Sequence, residues 1–153
     1  MADKNTTEEY GGTSWSSGGN LSSAASGLAG CGTQTAAIAC GGGEYMSRTE
    51  EYDGSAWSSG GNMSQSKRDF EAVGILTSAL CFGGDTGSLQ NRTEKYNGTS
   101  WSTEGNSLAT AKEQLCGAGI SSTALAWGGS DGSDSRTSEE WSEAVTAQTV
   151  TDS

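Results

Sequence analysis

At 153 residues the chain has room for one ordinary domain, and it carries 19 acidic against 8 basic side chains for a net charge of −11. That charge opposes binding to a phosphate backbone, and the absence of histidine removes Ser-His-Asp triads, Cys-His dyads and the usual His-bearing zinc sites within one chain. No apolar run reaches the ~18 residues of a membrane helix, and the opening MADKNTTEEY lacks the basic and apolar regions of a secretory leader. Nucleic-acid binding and membrane insertion are therefore not expected.

Gly, Ser and Thr account for 66 of the 153 residues and hydrophobic residues for only 32%, a composition close to that of a flexible linker. The order of the residues points the other way. From Thr7 the chain reads TEEYGGTSWSSGGN, from Thr49 TEEYDGSAWSSGGN and from Thr93 TEKYNGTSWSTEGN. A linker has no reason to keep paired aromatics in phase.

In chain order, TEEY and the segment around Trp15 predict two short strands. The connection at Gly11-Gly12 tolerates positive φ and predicts a two-residue hairpin turn. GLAGCG and then AAIAC predict two inner strands, the second ending at Gly41-Gly42. The same order returns with Tyr52, Asp53-Gly54, Trp57, FEAVGI and SALCF up to Gly83-Gly84. It returns again with Tyr96, Asn97-Gly98, Trp101, LCGAGI and TALAW up to Gly128-Gly129. TSEEW then begins a truncated fourth copy ending at Trp141. The junctions Arg48-Thr49, Arg92-Thr93 and Arg136-Thr137 set a period of 44 residues. The chain reads as one repeat domain over 1–153, with repeats 7–48, 49–92 and 93–136 and a closing strand and tail at 137–153. It is all-β, at four strands per repeat.

Small residues on inner strands let sheets approach closely. The pairs Tyr10/Trp15, Tyr52/Trp57 and Tyr96/Trp101 supply packing bulk between sheets, and Trp127, ending an inner strand, reads as core. Cys31, Cys40, Cys81 and Cys116 show no CxxC or zinc spacing and read as reduced, small buried residues. The acidic pairs Glu8-Glu9, Glu50-Glu51 and Glu139-Glu140, with Glu94, read as a solvated outer strand held by Arg–Glu contacts. Adjacent strand residues face opposite ways, so no pair forms one site. Asp85, Asp131 and Asp134 lie in loops that fit ordinary turn chemistry better than a calcium loop. The segments holding Lys67, Arg68 and Lys112 read as rim connections. No catalytic, cofactor or metal site is expected.

A strand ending in Gly-Gly, a variable loop, then a Tyr and a Trp a few residues apart resembles the kelch motif. The matching residues are Gly41, Gly42, Gly83, Gly84, Gly128 and Gly129 with Tyr52, Trp57, Tyr96 and Trp101, while Tyr10 and Trp15 open the chain out of phase. The resemblance covers about residues 7–141 and implies four-stranded blades of a β-propeller. The wording of the repeat looks like kelch-like repeats in virion proteins of tailed phages, marine ones especially. It implies a non-enzymatic structural or attachment protein, assembled in the host cytoplasm into the particle. Its partners would be other virion proteins and a host-surface glycan. Three repeats leave a propeller open, so a homo-oligomer is expected, two chains giving six blades. A β-trefoil or β-prism and a trimeric fibre are the other architectures that three repeats allow. A carbohydrate-binding module stacking sugars on Trp15, Trp57 and Trp101 is the other function.

Overall fold

The computed structural model describes residues 3–143 and contains thirteen strands there and no helix. The strands form four small antiparallel sheets. Sheet I is the hairpin β1 (Glu8–Tyr10) and β2 (Trp15–Ser17). Sheet II runs β3 (Leu28–Thr33), β4 (Ala36–Gly41), β5 (Thr49–Tyr52) and β6 (Trp57–Ser59). Sheet III repeats it as β7 (Glu71–Ile75), β8 (Ser78–Phe82), β9 (Thr93–Tyr96) and β10 (Trp101–Thr103). Sheet IV has β11 (Cys116–Ile120), β12 (Thr123–Trp127) and β13 (Ser138–Ser142).

The all-β reading stands, with three differences. The sheets straddle the sequence repeats: sheet II crosses the 48/49 boundary and sheet III the 92/93 boundary. The expected closing strand is β13, which pairs with β12 as the third strand of sheet IV, while residues 144–153 of the expected tail lie outside the described residues. The hairpins after Tyr10, Tyr52 and Tyr96 have four-residue loops, because Tyr10 pairs with Trp15, Tyr52 with Trp57 and Tyr96 with Trp101. Only the second turn residue has positive φ: Gly12, Gly54 and Gly98. The first, Asp53 or Asn97, turns its side-chain oxygen onto the next two free N–H groups at 2.9–3.0 Å, an Asx turn that a two-residue loop has no room for.

Register fixes which residues are equivalent. Cys31 opposes Ile38, Val73 opposes Leu80 and Ala118 opposes Leu125. Each sheet then has two unlike faces. The front carries Ile38 and Cys40, then Val73, Leu80 and Phe82, then Leu125 and Trp127. The back carries Gly30, Gly32, Ala37 and Ala39, then Ala72, Gly74, Ala79 and Cys81, then Gly117, Gly119, Ala124 and Ala126. Strand β7 lies against β3 on one side and β11 on the other, so each front meets the next back. Ile38 and Cys40 pack on Ala72, Ala79 and Cys81 in one core cluster. Val73, Leu80 and Phe82 pack on Ala124 and Ala126 in a second. The fit leaves little room: a Cβ on Gly117 would lie 2.7 Å from Phe82 Cζ.

At one end of the stack, long segments knit neighbouring sheets through their backbones. Gly42 donates to the Lys67 carbonyl at 2.9 Å, and Arg68 and Asp85 exchange two backbone bonds. Gly84 and Lys112, then Glu113 and Ser130, repeat the pattern. The double glycines make this possible, with φ of 67° and 81° at Gly41-Gly42 and 71° and 105° at Gly83-Gly84. A Cβ on Gly41 would also meet the Phe70 ring at 2.5 Å, whereas one on Gly128 would meet nothing within 4 Å. Gly41→Ala is therefore expected to destabilise the chain by about 3 kcal/mol or more, combining left-handed strain with overpacking. Gly128→Ala carries only the strain, about 1–2 kcal/mol. Denaturant melts of the two variants check the order.

Two lysines are sealed in these connections. Lys67 is fully buried and stands 3.8 Å from the equally buried Glu94. Lys112 is fully buried and 2.8 Å from Glu139. The expected solvated strand and rim lysines are thus corrected: Glu50 and Glu94 are buried as well. Each back-face carboxylate instead receives N–H and O–H donors from the segment entering the same gap, Ser22 for Glu50 and Ser64 for Glu94 at 2.6–2.9 Å. Lys67→Met would strand Glu94, with an expected loss of about 3–5 kcal/mol. The double variant Lys67→Met/Glu94→Leu should lose less than Lys67→Met alone in the same melt.

Candidate interaction surfaces

The outer strands are joined by one hydrogen-bonded unit, used twice. The Tyr52 hydroxyl donates to Glu9 and the Tyr96 hydroxyl to Glu51. The Trp57 indole N–H donates to Thr7 Oγ1 at 2.9 Å and the Trp101 indole to Thr49 Oγ1 at 2.8 Å. Each Tyr also lies against its own Trp, with ring centroids 4.9 and 5.0 Å apart. Burial, followed by the bond to Glu51, pushes the Tyr96 phenol up to about 12. The bond to Glu9 raises Tyr52. These phenols are donors held protonated, not acids poised for chemistry.

The structure places Tyr52, Trp57, Tyr96 and Trp101 between sheets, with Gly41, Gly42, Gly83 and Gly84 at the knitted end. Tyr10 and Trp15 are the exception. Their rings pair at 5.2 Å, but Trp15 is 66% exposed, since sheet I has no sheet behind it among the described residues. Gly128 and Gly129 keep the double-glycine conformation, although no described segment covers Gly128. Trp127 corrects its expected core role. It sits on the front of sheet IV and is 39% exposed, alongside exposed Leu125 and Ile120. The equivalence misled: Trp127 occupies the place of Phe82 and Cys40, both of which another sheet covers, whereas no described sheet covers the front of sheet IV.

The unit fails at the junction of sheets III and IV. Lys95 stands where Glu9 and Glu51 accept, and it pairs with Glu143 instead. Trp141 stands where Tyr52 and Tyr96 donate, and its buried indole N–H has no partner among the described residues. Thr93 Oγ1, equivalent to Thr7 and Thr49, is buried and receives no indole. A cavity of about 30 Å³ opens there, lined by Thr93, Leu108, Ala124 and Trp141 among others. Besides its ladder to β12, β13 is held by Glu139, which accepts from Lys112 and from the Ala109 N–H at 2.5 Å. Burial alone would raise this carboxyl, but those donors bring it below its ordinary value. Its stabilisation is present above the unfolded carboxylate range and lost as pH falls through the lowered folded value. On acidification, hydrogen exchange should show β13 opening before β8 and β9, and Glu139→Gln should remove that pH step.

The loop aspartates make protein contacts. Asp85 accepts from the Tyr45 hydroxyl at 2.9 Å, with the Arg68 guanidinium 3.6 Å away and over the Tyr45 ring. Asp131 caps Ser133. All four cysteines are free. Burial pushes Cys31 up to about 12 and Cys81 to about 11, and holds Cys40 well above the ordinary thiol. Cys116 is exposed on the front of sheet IV. A thiol reagent at pH 8 should label Cys116 first in the native protein and all four after denaturation. No protein-family model and no curated protein matches the chain.

Proposed function

We propose that the chain is a non-enzymatic structural or attachment component of a tailed-phage virion. Its sheets serve as kelch-like propeller blades, and copies of the chain complete the ring together. The virion assignment rests on the wording of the repeat. The structural role rests on one observation, the stacking of each bulky front on the next glycine- and alanine-lined back. That arrangement holds turns such as Asp53–Ala56 and Asn97–Ser100 at fixed spacing on one rim. Identical elements held this way multiply weak contacts with other virion proteins or a host-surface glycan. Peptides of this chain should appear in the mass spectra of purified particles at structural copy number, and purified chain should label host cells. Particles that lack the peptides would overturn the assignment.

The carbohydrate-binding reading has one feature in its favour, a groove of about 300 Å³ lined by Tyr10, Trp15, Tyr52 and Trp57. It has less support as a repeated site, because Trp101 is buried and Trp57 is half-buried with its N–H already used. If sugars bind here, glycan-array binding should vanish in Trp15→Ala and survive in Trp101→Phe.

A further inference from the structure

The two ends of the chain carry the missing halves of the same hydrogen-bonded unit. At the III–IV junction, Thr93 Oγ1 lacks an indole donor. At the other end Trp15, equivalent to Trp57 and Trp101 by its pairing with Tyr10, has an exposed indole with no acceptor among the described residues. The carboxylates show the same imbalance. In the row Glu8, Glu50, Glu94 and Glu139, the last three face Arg48, Lys67 and Lys112. Glu8 is exposed and makes no ion pair among the described residues. The peptides themselves correspond position for position: TTEEY at 6–10 and TSEEW at 137–141. The first comes with a paired β2 and a Trp at the fifth residue after its aromatic; residues 142–153 contain no Trp.

Extending the reading above, in which copies complete one another, we infer that the β1–β2 hairpin of one copy displaces β13 of a second copy and becomes the outer half of that copy's sheet IV. In β13's register, Tyr10 takes the place of Trp141 opposite Ala124, and Glu8 takes the place of Glu139 beside Lys112. Trp15 fills the slot at Thr93. Its indole donates to Thr93 Oγ1, as Trp57 does to Thr7 and Trp101 to Thr49. The Tyr10 phenol meets Lys95 in place of a carboxylate. The exchange also places the front of sheet IV, with Leu125, Trp127 and Ile120, against the uncovered Gly30, Gly32, Ala37 and Ala39 of the incoming copy. This continues the front-on-back packing already used between sheets II, III and IV. The occupant is thus a second copy of this chain, selected by the same contacts that hold one copy together.

Sedimentation of the full chain over a concentration series, with hydrogen exchange read at each concentration, tests the inference. Assembly is expected to rise with concentration while amides of Ser138–Ser142 lose protection and those of Glu8–Tyr10 gain it. Trp15→Ala should weaken assembly by about tenfold or more, the effect of losing a buried aromatic anchor. Trp15 is exposed within one copy, so the variant's unfolding midpoint at low concentration should stay at the wild-type value. Thr93→Val, which removes the acceptor at constant shape, should weaken assembly without destabilising the isolated chain. An assembly that ignores both substitutions and keeps β13 protected would overturn the exchange and leave the self-association of the proposed function standing. A monomer at every concentration would overturn both.

Discussion

The structure depends on a mismatch of side-chain size between the two faces of each sheet. A β-strand sends alternate residues to opposite sides. Here the alternation is large against small rather than apolar against polar. On β8, Leu80 and Phe82 face forward while Ala79 and Cys81 face back. On β12, Leu125 and Trp127 face forward while Ala124 and Ala126 face back. A bulky front can settle only on a back that is nearly bare backbone, and Gly117 beneath Phe82 shows how bare. Much of the chain's low hydrophobic content follows from this. One side of each inter-sheet contact is lined mainly by glycine and alanine, which contribute close approach and dispersion at high packing density instead of side-chain bulk.

Close approach on one side of a sheet creates a polar problem on the outer strands, where backbone and side-chain oxygens enter the same gap. The chain answers with groups that satisfy one another across it. Glutamate accepts from serine hydroxyls and backbone N–H groups, tyrosine donates to glutamate, and tryptophan donates to threonine. The lysines extend this inward. An ammonium brought into a sealed gap is tolerable only beside a carboxylate: Lys67 lies beside Glu94 and Lys112 beside Glu139, while Ala25 holds the equivalent place where Arg48 pairs with Glu50.

This division explains what could be read from the sequence. The double glycines and the Tyr–Trp spacing are local constraints on backbone and ring pairing, and they marked the strands and the repeat. The four-residue loops were hidden because Asp53-Gly54 and Asn97-Gly98 are also the signature of a two-residue turn. The side-chain oxygen that favours the longer loop is the same atom in either case. The burial of Lys67 was hidden because its partner Glu94 lies 27 positions away in the chain, a pairing that register and stacking create together. Trp127 was misplaced because a strand pattern shows that a face is apolar but not whether another sheet covers it.

The failures of the repeat carry as much information as its regularities. Lys95 and Trp141 depart from the glutamate and tyrosine of the other copies at facing positions, and both departures fall on the one junction where Thr93 also lacks its donor. Random drift would scatter such changes over the three junctions. Their concentration at one seam leaves β13 with its ladder to β12, the Glu139 contacts and the Lys95–Glu143 pair, but without the tyrosine–glutamate and tryptophan–threonine bonds of the other outer strands. A strand flanked by an indole N–H at Trp141 and a hydroxyl at Thr93, both unpartnered among the described residues, beside a cavity of about 30 Å³, is where this stack has least to lose by exchanging partners.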